Sequence, residues 1–200
     1  MQKKRRVTVF TGSSPGSHPA LTRDAREFGL NLARKDIGLT YGGGCVGLMG
    51  EVARSCFEAG GDVLGIIPHF LRQREGMCEF GEQIIVESIH KRKELMAERG
   101  DAFVTLAGGI GSLEEVVEQI TWRQLKLHDK PSLVVNTLGF WSCLPDLIET
   151  MRRYGFVSDR KPADLLVANS VDEVLPMIFG DLDAAIIDPV EHSLAGARLN

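Results

Sequence analysis

The sequence predicts a doubly wound α/β fold, a single domain in which a parallel sheet of about seven strands is covered by helices on both faces. Three observations carry that prediction. Short β-rich runs alternate from end to end with helix-length amphipathic segments, the pattern of repeated strand-helix-strand units. The runs are largely apolar and carry no charged residue, rather than alternating apolar with charged, which suits strands buried on both sides. Glycine and small polar residues follow several of them, as happens where a strand turns tightly into a helix.

The elements follow in order. Val7–Phe10 is the first strand; it runs into Thr11-Gly12-Ser13-Ser14, and a helical pattern spans Leu21–Lys35. Leu39–Tyr41 leads through a glycine-rich stretch into a helix at Leu48–Ala59. Val63–Ile67 and Ile84–Val86 are the next two strands, followed by a helix at His90–Arg99. Ala102–Leu106 ends in a run of glycines, and a helix at Ser112–Leu127 opens on an N-cap serine with acids in its first turn. Leu133–Asn136, a helix at Phe140–Tyr154, a weaker strand at Leu165–Ala168 and a helix at Val171–Phe179 complete the pattern. Periodicity is lost near Asp181, so residues 1–180 read as the domain and 181–200 as a tail, loose or docked on a partner.

Bulk properties exclude several classes. Two hundred residues can bury a core without disulfides or metal. A formal charge of −4 argues against a general nucleic-acid binder, and the basic start Lys3-Lys4-Arg5-Arg6 is too short to reverse it. No apolar run reaches membrane-spanning length and Met1 is not followed by a signal-peptide core, which points to the cytoplasm. Cys45, Cys56, Cys78 and Cys143 are scattered, without a C-x-x-C pair, and read as small core residues rather than disulfides or zinc ligands. The histidines form no H-x-x-x-H pair. Neither a metal nor a cofactor is expected.

In a Rossmann-like sheet the turns after the strands share one crevice, where ligands bind. Thr11 to Ser14 offers small donors, Gly12 and Ser13 among them, though a plain polar turn explains it equally well. Tyr41 to Gly50 contains G-x-G-x-x-G with Gly43 and Gly44, and Asp62 lies about twenty residues on, the spacing of a dinucleotide site. Asp62 precedes its strand, however, where a ribose-binding acid belongs at the strand's far end. Close approach to some nucleotide or sugar phosphate fits better. The third turn runs Leu106-Ala107-Gly108-Gly109-Ile110-Gly111-Ser112-Leu113-Glu114-Glu115. Glycines before a helix let N–H groups reach an anion that the helix dipole favours. It lacks the Lys-Ser/Thr end of a P-loop. Ser112 and Glu115 also fit the capping box S-x-x-E, so Glu115 serves either as a cap or as a chemical group.

A basic cluster, His90-Lys91-Arg92-Lys93, follows Ser88 at the start of a helix, where the dipole disfavours cations. An anionic ligand at that helix end explains it; a solvated basic face is the plainer alternative. Ser88-x-x-Lys91 matches S-x-x-K of penicillin-binding enzymes, but S-D-N and K-T-G are absent.

The basic cluster and the third turn together resemble M-x-x-R-K and P-G-G-x-G-T-x-x-E, the two signatures of the LONELY GUY (LOG) family of cytokinin-activating phosphoribohydrolases, whose members have carried the label "putative lysine decarboxylase". The resemblance extends from Val9-Phe10-Thr11-Gly12-Ser13-Ser14 through Tyr41–Gly50 and Thr121–Leu125 to Tyr154–Val157. Ile89 replaces the methionine, Ala107 the proline and Ser112 the threonine. Arg92, Lys93, Gly108, Gly109, Gly111 and Glu115 match.

The resemblance implies hydrolysis of the N-glycosidic bond of adenosine 5′-monophosphate or its N6-substituted forms, giving a free base and ribose 5-phosphate. It implies Arg92 and Glu115 as catalytic residues and Lys93 as an assisting one. The stretch Gly108 to Glu114, including Ile110 and Leu113, would bind substrate with the 5′-phosphate on its N–H groups. Glu75 lies near a further substrate-contacting glutamate of the family. The family is homodimeric or builds assemblies of dimers, and such a partner is expected here, with no nucleic acid and no membrane. Two other readings compete. A carrier of a phosphorylated ligand such as molybdenum cofactor shares similar glycine turns, and a more distant branch binds single-stranded DNA, which the net charge and few aromatics disfavour. Lysine decarboxylation normally needs a Schiff-base lysine and an acid against pyridoxal phosphate, and the sequence offers no recognisable set.

Overall fold

The computed structural model describes residues 4–158 and 163–180, with the side chains of Arg74 and Glu75 excepted. The proposed tail, 181–200, lies outside the described residues. Seven strands form one parallel sheet: β1 (Arg6–Phe10), β2 (Gly38–Tyr41), β3 (Val63–Pro68), β4 (Glu82–Val86), β5 (Ala102–Thr105), β6 (Ser132–Val135) and β7 (Leu166–Ala168). Their order is β4-β3-β2-β1-β5-β6-β7. The chain builds outward from β1 to β4, then crosses back to lay β5 on the other side of β1, with Val7 opposite both Leu39 and Ala102. That reversal opens a crevice at the carboxyl ends of β1 and β5, the place where such sheets take ligands.

The connecting helices are α1 (Pro19–Arg34), α2 (Gly47–Glu58), α3 (His69–Glu75), α4 (Ile89–Arg99), α5 (Ile110–Gln124), α6 (Cys143–Arg153) and α7 (Val174–Phe179). Strand residues alternate between two covered faces. Val7, Val9, Leu39, Tyr41, Leu133 and Val135 pack with α1, α2 and α7. On the other face, Phe10, Leu64, Ile66 and Phe103 pack under Met96 and Ala97 of α4, while Val134 packs with Val116 and Ile120 of α5 and Ile148 of α6. A fully buried side chain such as Phe28 or Leu32 contributes about 1.5–3 kcal/mol.

Several boundaries differ from the sequence expectation. α1 begins at Pro19, since His18 caps it by accepting from the Ala20 N–H and proline suits the first helical position. α3 was not foreseen; seven residues, His69-Phe70-Leu71-Arg72-Gln73-Arg74-Glu75, are too few for a helical period to show. The helix expected from Phe140 starts at Cys143, after a 3-10 turn at Thr137–Gly139 in which Leu138 has φ +58°.

Most consequential, α5 starts at Ile110 rather than Ser112. Gly109 is its N-cap, and no acid stands in its first turn. The cysteines also need correction. Cys45 and Cys78 form a disulfide and Cys143 is exposed, leaving Cys56 as the buried core thiol. The β2 turn and the segment before β4 meet in space, a proximity that a sequence separation of 33 does not reveal. Among the described residues no helix is long and apolar enough to cross a membrane, and no group of His, Cys, Asp and Glu is arranged to hold a metal.

Candidate active site

The third glycine turn is an anion cradle in geometry. The first intrahelical bond of α5 runs from the Leu113 N–H to the Gly109 carbonyl (3.1 Å), so the N–H groups of Ile110, Gly111 and Ser112 precede the ladder at the positive end of the helix. The turn is held against β1. Gly12 N–H and the Thr11 hydroxyl both donate to the Ala107 carbonyl, at 3.1 and 2.8 Å. Gly108 must lack a side chain, because a Cβ there would lie 2.1 Å from Ser112 Oγ. Ser112 is buried in the first helical turn and caps nothing. The capping-box alternative for Glu115 therefore falls away.

Arg92 comes from the opposite wall. Ser88 caps α4 by accepting from the Lys91 N–H (3.1 Å), which sets the register of the next turn. The Arg92 guanidinium lies over Gly42, where a Cβ would sit 1.9 Å from Nη2. Its Nη2 stands 3.7 Å from Glu115 Oε1, within ion-pair range but beyond a hydrogen bond, and its buried Nε has no partner. Hydrogen-bonding capacity is thus unspent on the guanidinium. Burial pushes the Glu115 carboxyl up to about 7; Glu114 and Glu118 add to the rise, while Arg92 and Lys93 oppose it.

These groups line one cavity of about 170 Å³. Thr11, Gly12 and Ser13 enter from the turn after β1, Met49 from α2, Arg92 from α4, and Gly109, Gly111, Ser112 and Glu115 from the turn and α5. Thr11 belongs to the turn of small donors expected after the first strand, whereas Met49 is a site residue that the sequence reading does not single out. Met49 could have been found in Gly47-Leu48-Met49-Gly50, whose turn is fastened by the Met49 N–H to the Gly12 carbonyl (3.0 Å).

Other expected residues stand elsewhere. Gly108 faces an adjoining apolar cavity of about 220 Å³ with Leu21, Leu48, Ala107 and Phe140. Gly43 and Gly44 are buried behind the turn. Ile110 is exposed at the helix start, and Leu113 packs inward against the α6 cluster. Lys93 does not reach the cavity: it is buried against α5, with Nζ 2.5 Å from Glu114 and 2.9 Å from Glu118. Glu114 is occupied by that contact. Glu75 closes α3, and its side chain lies outside the described residues. Asp62 pairs with Arg6 at the amino ends of the strands, away from the crevice. A larger opening of about 640 Å³ between α6 and the start of β7 is walled by both signs of charge, partly paired as Arg123–Asp164 and Arg152–Glu149. It sits at the opposite end of the strands from the crevice.

Comparison with known proteins gives four findings. Residues 49–178 match the family model described as "Possible lysine decarboxylase". The chain is 42% identical over 172 residues to "Probable cytokinin riboside 5′-monophosphate phosphoribohydrolase LOGL5" of Oryza sativa subsp. japonica, covering 86% of this chain and 70% of that one. It is 40% identical over 174 residues to cytokinin riboside 5′-monophosphate phosphoribohydrolase LOG1 of Arabidopsis thaliana, covering 86% and 82%. Among solved structures, a molybdenum cofactor binding protein from Rippkaea orientalis superposes with a TM-score of 0.67 at 18% identity over 89% of this chain and 97% of that one. That likeness is one of fold.

Proposed function

The chain belongs to the LOG family of cytokinin riboside 5′-monophosphate phosphoribohydrolases, and we propose from that membership that it hydrolyses the N-glycosidic bond of adenosine 5′-monophosphates, plain or N6-substituted. The observation that carries the reading is the Arg92–Glu115 pair facing the open N–H groups of α5 across one small cavity.

The proposed mechanism follows from that geometry. The 5′-phosphate sits on the N–H groups of Ile110, Gly111 and Ser112, helped by the Ser112 hydroxyl and the Gly12–Ser13 turn. Binding energy from this remote anion orients the sugar. The cavity is smaller than the roughly 300–1,000 Å³ that encloses a drug-sized ligand, so it suits the phosphorylated pentose and leaves the base projecting beyond it. The bond from C1′ to the base nitrogen breaks through an oxocarbenium-like state; its electron pair leaves with the base, which takes up a proton. Water adds its oxygen to C1′ and releases a proton. Glu115 stabilises the positive charge or takes the water's proton, and Arg92 holds the sugar phosphate and balances charge.

Decarboxylation through a Schiff base has no support in this cavity: among the described residues no lysine lines it, and Lys93 is held on α5. As part of the same proposal the protein is a cytoplasmic homodimer or an assembly of dimers; exposed Ile110 and Val117 on α5, with Leu125 just beyond its end, offer an apolar face for a second copy.

One assay tests the reaction. Base release is measured on AMP, other nucleoside monophosphates, isopentenyladenosine monophosphate and the dephosphorylated nucleosides. Turnover of adenosine monophosphates with little of the nucleosides is expected. No base from any nucleotide, or rapid cleavage of nucleosides, would overturn the reaction or its phosphate anchor respectively. Light scattering on the eluted protein checks the dimer.

A further inference from the structure

We propose that Lys93 is a positioning residue, clamping α4 to α5 so that Arg92 and Glu115 stay in register, and that it does not touch the nucleotide. The proposal rests on the reaction assigned above. Successive residues on a helix are about 100° apart, so Arg92 and Lys93 cannot face one cavity together. Arg92 faces the cavity; Lys93 faces α5, where Glu114 and Glu118 are one turn apart on the same stripe. Three neighbouring ionic contacts therefore join the helices side by side, Lys93 to Glu114 and to Glu118, and Arg92 to Glu115. At the other end of α5, Trp122 packs against the apolar cluster under α4. The cavity end is joined through charge.

The geometry of the clamp favours placement over stability. Lys93 is 8% exposed, and Glu118 Oε2 is buried without a partner. Buried ion pairs contribute little net stability once desolvation is counted, and removing one partner strands the other. Arg92 and Glu115 share no hydrogen bond, so their separation depends on the helices that carry them. Burial works against the Lys93 charge, yet the Glu114 and Glu118 contacts outweigh it and hold the ammonium charged. The charged groups facing Glu115 are Arg92 and Lys93 from α4 and Glu114 and Glu118 from α5; the β1 turn and Met49 add none.

The test uses Lys93→Met, Lys93→Arg and Glu118→Gln in the full chain, with melting curves to confirm folding. For Lys93→Met, kcat on AMP or isopentenyladenosine monophosphate falls by about tenfold or more, while KM and the Kd for ribose 5-phosphate move by less than about threefold. The acidic limb of its kcat profile moves to higher pH, because a cation that favours the Glu115 carboxylate is gone. Lys93→Arg restores part of kcat. Glu118→Gln lowers kcat although it is remote from substrate. A Kd for ribose 5-phosphate raised about tenfold in Lys93→Met, with kcat retained, would make Lys93 a substrate ligand and overturn the proposal. So would wild-type kcat and pH profile in Lys93→Met, or undiminished kcat in Glu118→Gln. Should Lys93→Met not fold, the other two variants decide. If the wild-type protein releases no base, the assigned reaction fails by itself; carbon-13 NMR titration of Glu115 still judges the clamp, with an upward shift expected in Lys93→Met and its absence showing that the clamp does not bear on that carboxyl.

Discussion

Burial lifts the Glu115 carboxyl to about 7 because the side chain is withdrawn from water between α4 and α5, and this sets chemistry against stability at a single residue. In the unfolded chain the group ionises near 4.5; in the folded protein it holds its proton until about pH 7. The folded state therefore binds more protons between those values, and stability falls as pH rises through that window and levels off above it. The rise from 4.5 to about 7 sets an upper bound of roughly 3 kcal/mol. Glu115→Gln should be more stable than wild type at pH 8 by roughly 1–3 kcal/mol in urea unfolding, less whatever Arg92 loses with its partner, and the difference should vanish near pH 4. The same variant should lose base release, since an amide cannot stabilise an oxocarbenium charge as a carboxylate does. In the wild-type protein kcat/KM should rise with pH through about 7, the limb reporting the free enzyme's carboxyl. A Glu115→Gln protein with full turnover would return Glu115 to a structural role.

Among the elements, the start of α5 and the β2 turn carry the site, and their glycines have separable duties. A Cβ at Gly42 would collide with the far end of Arg92 at 1.9 Å, a flexible tip that can swing aside, and with Met49 Sδ at 3.0 Å. Gly42→Ala should accordingly melt within a few degrees of wild type while kcat falls about tenfold or more through displacement of Arg92, as paired melting and turnover measurements would show. Gly108→Ala meets Ser112 Oγ at 2.1 Å and Cβ at 2.6 Å within a helical turn, so it should both lower the melting temperature and raise KM.

The sequence made the strand-glycine-helix order of this region readable, and with it the convergence of Arg92, Gly109, Gly111, Ser112 and Glu115. It misplaced the helix start because Ser112-x-x-Glu115 satisfies a capping box, whereas the backbone puts the cap at Gly109 and the serine in the turn. Lys93 stands apart from the cavity for a different reason: motif adjacency says nothing of direction, while helical geometry turns it away from Arg92 toward Glu114 and Glu118. The Cys45–Cys78 bond was illegible because only the sheet brings the two segments together.

At the scale of the whole molecule, the reversal of strand order between β1 and β5 brings turns from both halves of the chain to one small site. Thr11–Ser13, Arg92 and Ser112 belong to different elements, so a ligand bridging them is bound only by the folded chain. Such a ligand stabilises the fold by mass action, by about 2.7 kcal/mol at a hundredfold excess over its Kd. For a domain of this size 1 kcal/mol moves the melting temperature by about 2–4 °C, so saturating ribose 5-phosphate should raise it by roughly 5–10 °C. Ribose at the same concentration should raise it far less, because the α5 N–H groups have no anion to hold. Salt discriminates further: the cavity's anion contacts are largely main-chain donors and a partly buried guanidinium, which are screened less than surface charge, so the shift should persist at 0.5 M chloride. Equal shifts for ribose and ribose 5-phosphate in a thermal scan would place the binding energy on the sugar rather than the phosphate, and the cradle at α5 would lose its assigned role.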